Sequence, residues 1–283
     1  MESDHTPPGT PRQLYDDFGY RARKQLGQHF LIDAGILNEI VTLADIRRDD
    51  RVLEIGAGCG TLTLVLLQRG AEVDAVELDD NAVEYLEGKL AEHFPLNLHH
   101  DSALSIDLGE LFAQTPLPWK VVANLPYNIA SKILFRLFEH TERIEEMTLM
   151  FQKEVAHRIV AQPGDSEFGR LTLMSKLYSD VHLAMTLPPG AFRPPPKVDS
   201  AVVQFRPIDG TRIKDEELRG AFERIVKAAF QARRKTLANG LKAMGCDKSR
   251  VEEALDQMGL NTKIRPQKVG FEQFVRLAEA LVV

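Results

Sequence analysis

Asn124, Leu125, Pro126 and Tyr127 stand in a row whose order poses a chemical question. They close KVVAN (120–124), an apolar run with strand character, so they fall where a buried strand meets solvent. An exocyclic adenine amine is a poor nucleophile, because its lone pair is delocalised into the ring. Two hydrogen-bond acceptors would hold both of its N–H bonds and favour a pyramidal nitrogen. The Asn124 side-chain oxygen offers one acceptor and the Leu125 backbone carbonyl the other. Pro126 fixes the turn. Tyr127 gives a flat face on which an extruded base can stack. Phe192, in GAFRPPPKV, is a candidate for the other face of that base. The same residues equally suit a proline turn with a packing tyrosine, and Phe192 an aromatic packed on a sheet.

The context comes from an earlier stretch. RVLEI (51–55) reads as a strand, GAGCG (56–60) as a turn, and TLTLVLLQRG (61–70) as a helix. Gly56, Gly58 and Gly60 relax the limits on φ and let backbone approach a ligand closely. Their spacing is GxGxG, not the GxGxxG of dinucleotide enzymes. Glu54 ends the first strand. Glu77 ends EVDAVEL (72–78), where a carboxylate can accept both ribose hydroxyl protons. Asp101 follows LNLHH (96–100), where it could accept from an adenine amino group. Such acids can also cap helices. Three of them at three successive strand ends point to a nucleoside-bearing cofactor, bound outside the carboxyl ends of the strands. A GxGxG turn followed by an acidic second strand resembles the class I S-adenosylmethionine methyltransferases. Their cofactor carries no phosphate and needs no diphosphate cradle. Cys59 reads as a small filler in the turn.

Those elements belong to a longer alternation. Helices are expected at 81–94 and 129–140, with another between the strands at 96–100 and 120–124. A strand at 146–152 and a helix from Lys153 continue it. Alternation of this kind predicts a doubly wound, Rossmann-like α/β sheet. DVHLAMTLP (180–188) and DSAVVQFRP (199–207) follow as two strands around a proline-stiffened loop, which predicts an antiparallel hairpin at the sheet edge. Beyond about residue 210 only helical patterns remain, at 215–232, 233–244, 248–258 and 267–281. The expected division is a flexible tail at 1–20, a catalytic domain at 21–207, and a small all-helical domain at 208–283.

Composition sets outer bounds. The chain has 283 residues and a formal net charge of −6. It contains two cysteines, Cys59 and Cys246, with no CxxC pair and no metal-ligand spacing. Thiols so few and so far apart fit a reducing cytoplasm. The opening MESDHTPPGTPR lacks the apolar core of a secretory signal, and no run of about 18 apolar residues predicts a membrane span. The acidic balance argues against nucleic acid only on average. Arg219 to Lys242 holds seven cations and one acid, a local +6. Arg233, Arg234 and Lys235 form its centre, and Arg21, Arg23 and Lys24 make a second basic patch. Patches of this sort hold phosphates with salt-dependent affinity, although a charge run is also the ordinary dress of a solvated helix.

At this point the chain resembles a known family, the bacterial 16S rRNA adenine dimethyltransferases (KsgA/RsmA). The likeness rests on RARKQLGQHFL (21–31), VLEIGAGCGTLT (52–63), VELD (76–79), NLPYNIAS (124–131), FQKEVAHRIVA (151–161), PPPKVDSAV (194–202) and AFQARRKTL (229–237), in that order. It implies dimethylation of the N6 amines of two adjacent adenosines in a hairpin loop near the 3′ end of small-subunit rRNA. S-adenosylmethionine would be the donor and S-adenosylhomocysteine the product, with no metal. By the same resemblance His29 and Leu31 close over the cofactor, Gly56 contacts its methionine part, Glu77 its ribose and Asp101 its adenine. Asn124 would lie between cofactor and target base. The chain departs from the family pattern at His29, where asparagine is also frequent, and at Ala57, where proline is frequent. The expected partner is 16S rRNA within the 30S subunit, and nothing in the sequence suggests an obligate dimer.

Three other functions compete. One is methylation of another nucleic acid, either 23S rRNA or DNA adenine; NLPYN rather than NPPY weighs against the DNA enzymes. Another is a non-catalytic ribosome assembly factor, which the intact Glu77, Asp101 and Asn124–Tyr127 set opposes. A nicotinamide dehydrogenase would call for GxGxxG and a proton-transfer residue, and the sequence offers no good candidate for either.

Overall fold

The computed structural model describes residues 9–19, 28–208, 210–231 and 233–281. The chain forms two compact units, residues 1–156 with 182–207, and residues 157–181 with 208–283.

The first unit is built on the expected sheet. In chain order its elements begin with helix α1 (Pro11–Phe18), the short strand β1 (Phe30–Leu31) and helix α2 (Ala34–Leu43). Then β2 (Arg51–Ile55), α3 (Thr61–Gln68), β3 (Glu72–Glu77), α4 (Asp80–Leu86), β4 (Leu96–His100), α5 (Leu108–Ala113) and β5 (Trp119–Asn124) alternate. They are followed by α6 (Ala130–Phe138), β6 (Ile144–Gln152) and α7 (Lys153–Val160). Helix α8 (Arg170–Tyr178) comes next in the chain but belongs to the second unit, and β7 (Ser179–Leu187), β8 (Phe192–Arg193) and β9 (Ser200–Pro207) complete the series. The seven-stranded sheet runs β4-β3-β2-β5-β6-β9-β7. Strands β4, β3, β2, β5 and β6 pair in parallel, and β9 returns antiparallel to β6. A separate two-residue ladder joins β1 to β8, with Phe30 opposite Arg193 and Leu31 opposite Phe192.

Parallel strands covered on both faces must be apolar throughout, and β2 and β5 are buried along most of their length. Every residue of α3 from Thr61 to Leu67 is buried, which is why TLTLVLLQ shows no polar face. Charges inside this unit are instructive. At the amino end of β2, Arg51 pairs with fully buried Asp74 at 2.6 Å and with Glu72 at 2.7 Å. Near the amino end of β5, buried Lys120 reaches Asp50 at 2.9 Å and the Asp45 carbonyl at 2.6 Å. Buried charges need such partners.

Residues 11–18, assigned to a flexible tail by composition, form a helix instead. Thr10 caps it by accepting from the Gln13 N–H, Pro11 starts it, and Gly19 ends it in the left-handed region. Leu14 anchors it in the core with no exposure. A single buried leucine among polar residues left this helix without a readable stripe.

The second unit takes in residues 157–181, which the sequence reading grouped with the sheet. It also holds α9 (Glu216–Gln231), α10 (Leu237–Leu241), α11 (Lys248–Gln257) and α12 (Phe271–Leu281). Its core is mainly aliphatic, with Ile225, Val226, Leu237, Leu241, Leu255 and Leu277 buried, and aromatic contacts add to it: Phe222 lies 5.1 Å from Phe271, Phe230 6.0 Å from Phe274, and Phe168 6.2 Å from Phe230. Phe168 just precedes α8, and its contact with α9 explains why this stretch joins the helices. The expected helix at 233–244 is shorter, because Arg233–Lys235 occupy the turn before α10.

Candidate active site

One cleft of about 300 Å³ collects the sequence candidates at the carboxyl ends of β4, β3, β2 and β5. That volume suits a nucleoside-sized ligand. Its wall includes Glu54, Gly56, Gly58, Glu77, Asp101 and Asn124 through Tyr127, with His29 and Leu31 on the side of the β1–β8 ladder. Phe192 is absent from that wall. It is fully buried in the core of the sheet unit, held by the pairing of β8 with β1, and offers no ring face to a base. Of its two readings, packing on the sheet is the correct one.

The glycine turn is kept open by its own neighbours. Gly58 and Gly60 have φ of +57° and +82°. A Cβ on Gly58 would sit 2.7 Å from the Phe30 ring, and one on Gly60 2.5 Å from Leu86. The positive φ and the close packing of these side chains both favour glycine at the two positions. Glu77 organises the same turn. Its carboxylate accepts from the Gly58 N–H at 2.7 Å and from the Leu78 and Asp79 N–H groups at 2.8 Å each. A carboxylate has about four acceptor places, so one remains for a ribose hydroxyl. Asp101 accepts on one oxygen only, from the Ser102 N–H at 2.6 Å and the Ser105 hydroxyl at 3.0 Å.

Glu54 breaks the rule followed at the amino ends. It is 2% exposed, and its Oε2 has no hydrogen-bond partner among the described residues. Burial, reinforced by the Glu77 charge, pushes its pKa up to about 8. Thr63 hydrogen-bonds the carboxyl and offsets part of that rise; a buried carboxyl in the cleft wall with one oxygen unpartnered fits a ligand that brings positive charge. S-adenosylmethionine is a cation with that requirement, so the donor set matches the cofactor. The Cys59 thiol, pushed up to about 12 by burial, is inert, in keeping with its reading as filler.

Asn124 ends β5, and its side-chain Nδ2 donates to the His29 carbonyl at 2.9 Å. The donor end of the amide is thereby used, and Oδ1 is left as an acceptor. The Pro126 carbonyl accepts from the Ile129 N–H at 3.1 Å, which leaves the Leu125 carbonyl as the second candidate acceptor. Pro126 Cδ lies 3.5 Å from the Cβ position of Gly56, so the two loops pack against each other.

Tyr127 stacks on the His29 ring, with centroids 5.7 Å apart and planes at 25°. Its hydroxyl lies 2.5 Å from the Ser200 Oγ, and burial raises its pKa. The phenol is therefore neutral. Tyr127→Phe is expected to change the KM for the methyl acceptor by less than about threefold. Tyr127→Ala is expected to raise it about tenfold or more, the usual loss for a stacking platform. Steady-state kinetics on both variants checks this; equal losses would assign the role to the hydroxyl.

Sequence reasoning missed several wall residues. Thr148 and Met150 come from β6, and only their alternation in EMTLMFQ hinted at a shared face. Phe30, between His29 and Leu31, was overlooked because a lone aromatic carries no motif. Of the basic candidates, Arg21, Arg23 and Lys24 lie outside the described residues. Arg233 donates to the Ser166 and Phe168 carbonyls, while Arg234 and Lys235 are exposed. No group of three or more potential metal ligands occurs among the described residues.

A mostly parallel sheet with a GxGxG turn after β2 and acids ending β2 and β3 defines a class I S-adenosylmethionine-dependent methyltransferase. The family model for ribosomal RNA adenine dimethylase matches residues 19–282, and the chain belongs to that family. It is 41% identical over 268 residues to ribosomal RNA small subunit methyltransferase A of Pseudomonas syringae pv. syringae (strain B728a), covering 95% of this chain and 97% of the relative. Among solved structures it resembles a dimethyladenosine transferase from Plasmodium falciparum, with a TM-score of 0.73 and 28% identity over 88% of this chain and 96% of that one. It also resembles the 23S rRNA methyltransferase ErmE, with a TM-score of 0.69 and 29% identity over 89% and 99%. The class I resemblance and the family resemblance seen in the sequence are both borne out.

Proposed function

We propose that the chain dimethylates the N6 amines of two adjacent adenosines in the 3′-terminal hairpin loop of 16S rRNA, within the small ribosomal subunit. The observation that carries the chemistry is the oriented Asn124 amide. With Nδ2 held by the His29 carbonyl, Oδ1 accepts one N–H of the target amine. The Leu125 carbonyl accepts the other. The unmethylated amine would thereby be held pyramidal with its lone pair free; each transfer releases one N–H proton to solvent, the singly methylated amine keeps one N–H for one of the two acceptors, and Tyr127 supports the base. S-adenosylmethionine, when bound, supplies an electrophilic methyl group on a sulfonium. Glu54 would hold its positive charge, Glu77 its ribose and Asp101 its adenine, while His29 and Leu31 would exclude water.

The small-subunit assignment leans on the 41% identical relative; the likeness to ErmE keeps 23S rRNA as the second reading. The discriminating assay offers labelled S-adenosylmethionine to undermethylated small subunits, large subunits and duplex DNA. Label is expected in small-subunit RNA alone. Label in large-subunit RNA would transfer the assignment to the second reading. Binding of small subunits with no label in any acceptor would leave an assembly factor.

A further inference from the structure

We propose that α1 braces the cofactor end of the cleft, with Tyr15 and Phe18 as positioning residues that hold Phe30 against the glycine turn. The match to the family model begins at residue 19, just after α1. The helix is tied to the matched segment at several points. Leu14 is fully buried in the core of the sheet unit, and its carbonyl accepts from the Tyr85 hydroxyl at 2.9 Å. The Tyr15 ring lies 5.9 Å from Phe30. Phe18 lies 6.2 Å from Phe30, edge to face, and 4.9 Å from Tyr85.

Phe30 is the residue at stake. Its ring fills the space beside Gly58 where a side chain would stand, and both residues form the cleft wall. Its strand is two residues long and pairs only with β8 among the described residues. A ladder that short is marginal on its own. The small cluster of Phe30, Ile32 and Cys59, covered by Tyr15 and Phe18, supplies the missing support. Tyr85 belongs to α4, which follows the Glu77 strand end. The helix therefore clamps the glycine turn, β1 and α4 from one side. Without its two rings Phe30 has room to leave the turn, and the Gly58 N–H that bonds Glu77 loses its backing.

The proposal rests on reading the cleft as the S-adenosylmethionine site, and calorimetric binding of that cofactor separates the two. The wild-type chain is compared with the Tyr15→Ala/Phe18→Ala double variant, with Tyr85→Phe, and with Val251→Ala in the helical unit as a stability control. The double variant is expected to bind about tenfold more weakly, a loss within the range of a few disturbed contacts. Its kcat at saturating cofactor should stay within about twofold of wild type. Tyr85→Phe keeps the ring and removes only the bond to Leu14, so an approximately threefold weakening is expected. It decides the matter should the double variant not fold. Cofactor affinity equal to wild type in these variants, with melting lowered as in Val251→Ala, would make α1 a purely structural helix and overturn the brace. A loss of kcat without loss of affinity would overturn it as well. Failure of the wild-type chain to bind would remove the cofactor reading and the brace together.

Discussion

Asn124→Ala should lower kcat by about a hundredfold to a thousandfold while leaving cofactor affinity within about twofold. The magnitude is that of removing one preorganised polar group from a water-excluded site. Alanine deletes the Oδ1 acceptor, so the target amine keeps one hydrogen-bonded N–H and relaxes toward planarity. The loss then falls on the chemical step. Cofactor affinity is spared because Glu54, Glu77 and Asp101 stand on other strands, and because His29, which loses the amide's bond, stays held through its ring to the Pro194 carbonyl. Asn124→Asp is the sharper companion: it restores an acceptor but forfeits the donor bond to His29. Partial recovery of kcat is expected. Single-turnover kinetics separates the chemical step from product release. A variant whose kcat is preserved while its KM for cofactor rises would place Asn124 in binding rather than catalysis.

The second large effect is a pH dependence of cofactor binding. Glu54 carries its proton at neutral pH, because burial holds its pKa at about 8. A bound cation favours the carboxylate, so binding expels a proton. Affinity for S-adenosylmethionine should therefore rise up to about tenfold per pH unit from pH 6 and level off above pH 8. Glu54→Gln should flatten the profile and lose most of the affinity gained at high pH. Stability moves in the opposite sense. The folded-state pKa is raised above the ordinary carboxyl value, so the folded chain holds a proton that the unfolded chain releases. This contribution is complete below about pH 4.5 and is lost as pH rises through about 8. Cofactor-free Glu54→Gln protein should thus melt higher than wild type at pH 8 to 9. A buried charge kept for function at a cost in stability is a common compromise. Titration calorimetry and thermal melts between pH 6 and 9 check both signs, and a flat wild-type affinity profile would remove Glu54 from the cofactor site.

Much of this could be read from residue order. The parallel sheet was legible because buried strands such as RVLEI and KVVAN leave no polar face, and because each is followed by a helical repeat. The site was legible because its polar residues stand at strand ends, where sequence position fixes spatial position. Glu54, Glu77, Asp101 and Asn124 lie far apart in the chain and meet only because β2, β3, β4 and β5 are neighbours in one sheet. What escaped depends on contacts that no local pattern announces. Phe192 has the look of a loop aromatic, yet its register with Leu31 buries it. Glu77 reads as a free ribose ligand, while three backbone N–H groups already occupy it. Helix α1 hides behind prolines and charges, because its anchor is one leucine and two aromatic rings that find partners elsewhere in the fold. The turn holding Arg233 reads as helix until its guanidinium is seen donating to carbonyls far back in the chain.

The most direct test is nucleoside analysis of RNA from undermethylated small subunits after incubation with the protein and labelled S-adenosylmethionine. The account predicts label as N6,N6-dimethyladenosine at two adjacent positions near the 3′ end, and its near absence when Asn124→Ala protein is used. Label on another base, or on large-subunit RNA, or label retained in full by the variant, would contradict it.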